Sequence, residues 1–202
     1  MTDERIFLLS PANCGGKRAR LLLRTQSQFD LAVRLRESGA PLSEVFQFIS
    51  GLYFRGKLAY AEAFARPPAG CPPALVIAPG RGLLPPGTIV SLREVQEMAS
   101  IPVDADEPRY RQALERDARQ AACRSVPVVL LGSVASAKYT DPLLHIFGDR
   151  LLFPADFVGR GDMSRGGLML RCARERRELS YIPVRGAVLR GPRPPRLPKL
   201  GK

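Results

Sequence analysis

Residues 126–170, VPVVLLGSVASAKYTDPLLHIFGDRLLFPADFVGRGDMSRGGLML, decide the fold. Residues 127–131 (PVVLL) are a short apolar run, β-branched at Val128 and Val129, of the length and composition of a buried parallel strand. Gly132 and Ser133 end it, residues 138–147 suit a helix, and residues 150–153 extend again. Two glycine loops follow, Gly159-Arg160-Gly161-Asp162 and Arg165-Gly166-Gly167. Strand, helix and strand in that order predict a parallel sheet, whose ligand crevice lies at the carboxyl ends of the strands.

Downstream, residues 168–173 and 179–184 read as two extended runs that predict a C-terminal β-hairpin. A helix from Met163 is the competing reading, and Gly166-Gly167 argue against it. Upstream, residues 110–123 form an amphipathic helical pattern with Leu114, Ala118, Ala121 and Ala122 on one face. Ser91 with Glu94 predicts a capping box for a helix over 92–99. Residues 74–78 (ALVIA) and 5–10 (RIFLLS) read as further buried strands. Helices are expected over 28–38 and from Leu42 onward, the second interrupted at Gly51. The helix-spaced aromatics Phe46, Phe48, Tyr53, Phe54, Tyr60 and Phe64 are read as core. The expected fold is a single α/β domain over 1–185: three layers, a largely parallel central sheet and a C-terminal hairpin. A basic Pro-rich tail over 186–202 is expected to be extended and poorly ordered.

The net charge of +12 is unevenly placed. Residues 171–202 hold ten Lys/Arg against two acids, so +8 of the excess lies there and +4 in the preceding 170 residues. Such a segment neutralises phosphates without reading sequence, which makes a nucleic acid, DNA or RNA, the expected partner and free nucleotide a further one. No apolar run approaches the roughly 20 residues that span a bilayer, so no membrane partner is expected. The Ile6–Leu9 run is too short for a signal peptide and follows Asp3 and Glu4, which predicts a cytoplasmic protein. Cys14, Cys71, Cys123 and Cys172 are widely spaced, contain no CxxC and have only His145 as a histidine partner. Neither a metal site nor a disulfide framework is expected from that spacing, and no cofactor is expected.

Four expected strands end in loops that pair glycine or serine with a cation. The first holds Asn13, Gly15, Gly16, Lys17 and Arg18, and the second Gly80, Arg81 and Gly82. The third holds Gly132, Ser133, Ser136, Lys138 and Tyr139, and the fourth Gly159, Arg160 and Gly161. On parallel strands these loops converge on one edge and form a cationic crevice rich in N–H groups, suited to phosphate or a nucleotide. The Gly15-Gly16-Lys17-Arg18 turn is not a Walker A loop, because Pro11 and Arg18 stand where that pattern needs glycine and Ser/Thr. Asp156 and Asp162 flank the last glycine loop and are the candidate acid–base residues. Asp141, before Pro142, reads as a helix-start residue.

Four segments carry a family resemblance. IFLLSPANCGGKRA (6–19) resembles the strand-and-loop start, LLSPA, of the YaaA-type peroxide-stress family. YFRGKLAYAEAF (53–64), ALVIAPGRGLLPPGTIV (74–90) and VVLLGSVASAKYTDPLL (128–144) are similar to a related group of small bacterial and phage proteins. The resemblance is carried by these short pieces, spread between residues 6 and 144. It implies a three-layer α/β fold similar to uracil-DNA glycosylases and the handling of DNA or nucleobases. It has no counterpart for the loop over 158–167 or the basic tail, and it transfers no catalytic residue.

Three functions are consistent with this reading. The first is a nucleic-acid- or nucleotide-binding protein with a crevice at the strand ends. The second is a small enzyme on a nucleoside or nucleotide, for example cleaving an N-glycosidic bond with Asp156 or Asp162. The third is an interaction protein whose tail docks an acidic or Pro-recognising partner.

Overall fold

The computed structural model describes residues 4–122, 125–195 and 197. Cys123, Arg196 and the tail from Pro198 onward lie outside the described residues.

Six strands form the central sheet: β1 (Ile6–Leu9), β3 (Ala74–Ala78), β4 (Gly82–Leu84), β6 (Val128–Leu131), β7 (Leu151–Pro154) and β8 (Tyr181–Pro183). Their order is β4-β3-β1-β6-β7-β8. The inner four are parallel, with Leu8 opposite both Leu75 and Leu130, while β4 and β8 are antiparallel edges. All four residues of β1 and of β6 are buried, which is why both read as unbroken apolar runs. From β1 the chain steps to β3 on one side, then crosses back to β6 on the other. The topological switch point therefore lies between β1 and β6, where open α/β sheets hold their ligands.

Helices cover both faces. Phe7 meets Tyr60 of α4 (Leu52–Phe64) edge to face at 5.7 Å, and α4 packs along α8 (Asp162–Glu175). Ile6, whose side chain points the other way from the strand, borders Gln120 and Ala121 of α6 (Pro108–Ala122). Next to α6 lies α7 (Ala137–Phe147). The remaining helices are α1 (Lys17–Leu22), α2 (Asp30–Glu37), α3 (Leu42–Ser50) and α5 (Leu92–Ser100). The last begins with the expected capping box at Ser91 and Glu94. A two-stranded sheet of β2 (Ala40–Pro41) and β5 (Ile89–Val90), absent from the sequence reading, joins the start of α3 to the start of α5. Among the described residues no helix is long and apolar enough to cross a membrane.

The expected C-terminal hairpin is corrected. Residues 168–173 belong to α8, and β8 pairs with β7. Gly166 does not break this helix; it lets α8 approach α4. A Cβ on Gly166 would stand 2.8 Å from Leu52 O and from Tyr53 Cα, and one on Gly56 would stand 2.6 Å from Gly166 O. The packing of two helices outweighs the intrinsic cost of glycine.

Asp141 is not a helix start either, because α7 begins four residues earlier and holds Pro142 inside it. Proline lacks the N–H that would bond to Lys138 O. The hydroxyl of Tyr110 supplies the missing donor, at 3.0 Å from that oxygen. The first turn of α7 is thereby tied to α6, and Lys138 is held in place.

Candidate functional site

At the carboxyl ends of β1, β3 and β6 the structure opens into a cavity of about 500 Å3. Ser10, Asn13, Cys14 and Gly15 follow β1 on one wall, and Ser133, Lys138 and Tyr139 follow β6 on another. Tyr53 enters from α4 and Asp162 from the first turn of α8. Met98, Ile101 and Val103, within and after α5, supply an apolar side.

Six residues expected in the crevice, Asn13, Gly15, Ser133, Lys138, Tyr139 and Asp162, line this cavity together. The others stand elsewhere. Gly16 N–H bonds to Asn13 O and Gly15 N–H to Asn13 Oδ1, so the loop's own residues occupy these two donors. Lys17 and Arg18 are exposed on α1, with the Arg18 guanidinium over the Phe48 ring at 5.4 Å. Gly80 and Gly82, at φ +73° and +85°, make the tight turn from β3 to β4, and Arg81 pairs with Glu94 and Glu97. Gly132 packs against Ser10, where a Cβ would stand 2.9 Å from the serine Cβ. Gly159 lies under the tail, with Pro192 O 2.1 Å from where its Cβ would be. Arg160 bonds to Asp156 O and Ser164 Oγ, and Gly161 precedes α8. Asp156 is exposed in a 3-10 turn and does not line the cavity.

The sequence reading missed the centre of the site. Lys57, fully buried in α4, donates from Nζ to Ser10 O and Ser10 Oγ, each at 2.8 Å. Its ammonium group also lies 3.9 Å from the centroid of the Tyr53 ring. Burial pulls the amine down to about 7; the charge of Asp162 works against this, and those of Arg165 and Lys138 add to it. Arg165, buried on α8, donates to Phe157 O and pairs with Asp162 at 3.4 Å.

Burial, reinforced by the negative charge of Asp162, pushes the Tyr53 hydroxyl up to about 12. The hydroxyl is buried and makes no hydrogen bond of regular geometry, though Ser10 and Arg165 lie close enough to oppose that rise. Tyr139 is raised above the usual phenol range, chiefly by burial. Both phenols therefore stay protonated at neutral pH and offer hydrogen-bond donors. Burial likewise pushes Cys14 up to about 12, so a thiol and not a thiolate lines the cavity. No group of three or more His, Cys, Asp or Glu side chains capable of holding a metal occurs among the described residues.

One signal for Lys57 was present: a lone lysine, preceded by glycine, inside the apolar pattern of 52–64. Buried lysines are rare without a partner, but helical periodicity alone does not show which interruptions of an apolar face are turned inward.

Fold and site together define a doubly wound α/β protein with a polar, cation-edged pocket at its switch point. No family model, curated protein or solved structure matches the chain.

Proposed function

We propose that the crevice binds a nucleotide, free or within a nucleic acid, with its phosphate toward Lys138 and its base toward Met98, Ile101 and Val103. The observation that carries this reading is the convergence of Asn13, Ser133, Lys138 and Tyr139 on one cavity at the switch point. Lys138 stands in the first turn of the eleven-residue α7, where the helix dipole and the side chain both favour an anion. The phenols of Tyr53 and Tyr139 add neutral donors for phosphate or sugar oxygens. The segments that resemble YaaA-type proteins and their relatives supply Ser10, Tyr53, Lys57, Lys138 and Tyr139, which favours the nucleobase-related function that the resemblance implies.

Calorimetric titration of mono-, di- and triphosphate nucleotides and of short oligonucleotides tests this. Binding is expected, weakened roughly 10- to 100-fold in Lys138→Glu, the loss of one charge-assisted hydrogen bond. Absence of binding by all of these ligands, or equal affinity of the variant, overturns the proposal.

A second reading, hydrolysis of a nucleoside at its N-glycosidic bond, is favoured by one observation. Asp162 borders the cavity while Asp156 does not. It requires release of free base by the wild-type protein and its loss in Asp162→Asn.

A further inference from the structure

We propose that Ser10 and Lys57 form a nucleophile–base pair opening on the crevice, which accepts the acyl group of an ester or thioester borne by an anionic molecule. Ser10 follows the last residue of β1, at the switch point, and lines the cavity. Its Oγ is 2.8 Å from Lys57 Nζ. Lys57 is wholly buried, and among the described residues the groups that touch its amine are Ser10 and the rings of Tyr53 and Phe54, with no carboxylate among them. A lysine serving only the fold is ordinarily paired when buried this deeply, because an isolated ammonium is expensive to desolvate. Here the surroundings favour the free amine, whose lone pair can take the hydroxyl proton while an N–H remains on Ser10 O.

The space for this contact depends on Gly132, since a Cβ there would stand 3.2 Å from Ser10 Oγ. Tyr53 completes the arrangement. It is 94% buried, it lines the cavity, and its hydroxyl makes no hydrogen bond of regular geometry. A protonated donor beside the nucleophile, with no hydrogen bond of regular geometry of its own, is what an oxyanion requires.

The chemistry balances with water as the only co-reactant. Ser10 Oγ attacks the carbonyl carbon as its proton passes to Lys57 Nζ, and Tyr53 donates to the developing oxyanion. The carbon–oxygen or carbon–sulfur bond to the leaving group then breaks, and Lys57 returns the proton to the departing alcohol or thiol. Water, deprotonated by Lys57, cleaves the Ser10 ester and releases a carboxylic acid and the free hydroxyl. The assignment of an anionic carrier rests on the cationic crevice proposed above; the nucleophile itself does not.

Reaction of the full chain with a fluorophosphonate probe, followed by intact and peptide mass spectrometry, tests the pair. A single adduct on Ser10 is expected, with a rate that rises with pH through a midpoint near 7. Burial chiefly sets this midpoint, with the charges of Asp162 and Arg165 on α8 and of Lys138 on α7; the other titratable groups beside the pair are Tyr53, on the same helix as Lys57, and Tyr139 on α7. Ser10→Ala is expected to abolish labelling. Lys57→Met is expected to slow it by about 100-fold or more, the usual contribution of a general base. Because a buried lysine can matter for folding, the pH profile of the wild-type chain is the independent measurement. A folded wild-type protein that stays unlabelled, is labelled elsewhere, or shows no pH midpoint between 6 and 8 overturns the pair. Nucleotide binding by the wild-type chain would in that case leave the phosphate site standing.

Discussion

Lys57 ties the stability of this protein to pH. In the unfolded chain its amine keeps a proton up to about 10.5, whereas burial in α4 brings that down to about 7. Between those values the unfolded state binds the extra proton, so folding becomes more favourable as pH rises, by at most about 1.4 kcal/mol per pH unit. Cys14 acts in the opposite direction. Its thiol ionises near 9 when unfolded and only near 12 when buried, so it removes stability above pH 9. Tyr53 and Tyr139, also raised by burial, do the same above pH 10. The window from pH 7 to 9 therefore isolates the lysine. Urea unfolding across it is expected to show a gain of about 2–3 kcal/mol in the wild-type chain. Lys57→Met, which keeps most of the side-chain volume, is expected to give a flat profile. A flat wild-type profile would mean that the folded protein carries the ammonium, leaving Ser10 without its base.

The contact of α4 with α8 sets where Tyr53 and Lys57 stand relative to Asp162 and Arg165, and it rests on glycines at the crossing. Gly166→Ala would drive a methyl group against the backbone of Leu52 and Tyr53, which cannot yield as a side-chain tip can. A loss of about 1–3 kcal/mol in urea unfolding is expected, together with weaker ligand binding. Gly167→Ala is the contrasting case. Its Cβ would meet only Leu197 Cδ1 at 3.8 Å, so relief of glycine's helix penalty, up to about 1 kcal/mol, is expected to prevail. Equal effects of the two substitutions would show that close approach is not what Gly166 provides. The same pair explains the limits of the sequence reading. Strands β1, β3 and β6 were legible because a strand buried on both faces is a plain apolar run ended by Pro or Gly. Helix α8 was not, because its Gly166 answers to a partner more than a hundred residues away in the chain. In the crevice, loop residues such as Asn13, Ser133 and Lys138 were legible from their place after strands. Ser10 and Lys57 were hidden, one as the polar residue just after a strand and the other as a break in an apolar helix.

At the scale of the whole molecule, the tail carries arginine to the rim of the crevice. The described part of the tail lies against the domain: Arg190 donates to Ala135 O at 3.0 Å, and Gly191 and Pro192 pack on Val158 and Gly159. Ala135 sits between Ser133 and Lys138, so Arg190 stands at the rim of the cavity. Farther along, Arg193 shares a groove with Arg160 and Arg171. A polyanion with one unit in the crevice would meet Arg190 at its rim, and each phosphate that the arginines of the tail neutralise releases a counterion. Duplex or single-stranded DNA and RNA are accordingly expected to bind with an affinity that falls steeply with salt. Replacing both Arg190 and Arg193 by alanine is expected to reduce the log–log salt slope by about two units. Free nucleotide, which reaches only the crevice, is expected to bind the double variant nearly as before. A slope unchanged by the double substitution would place the phosphate contacts elsewhere on the surface and leave Arg190 as a clamp on the β6–α7 loop. Loss of nucleotide binding along with the slope would mean instead that the tail shapes the crevice, through the contact of Arg190 with Ala135 O.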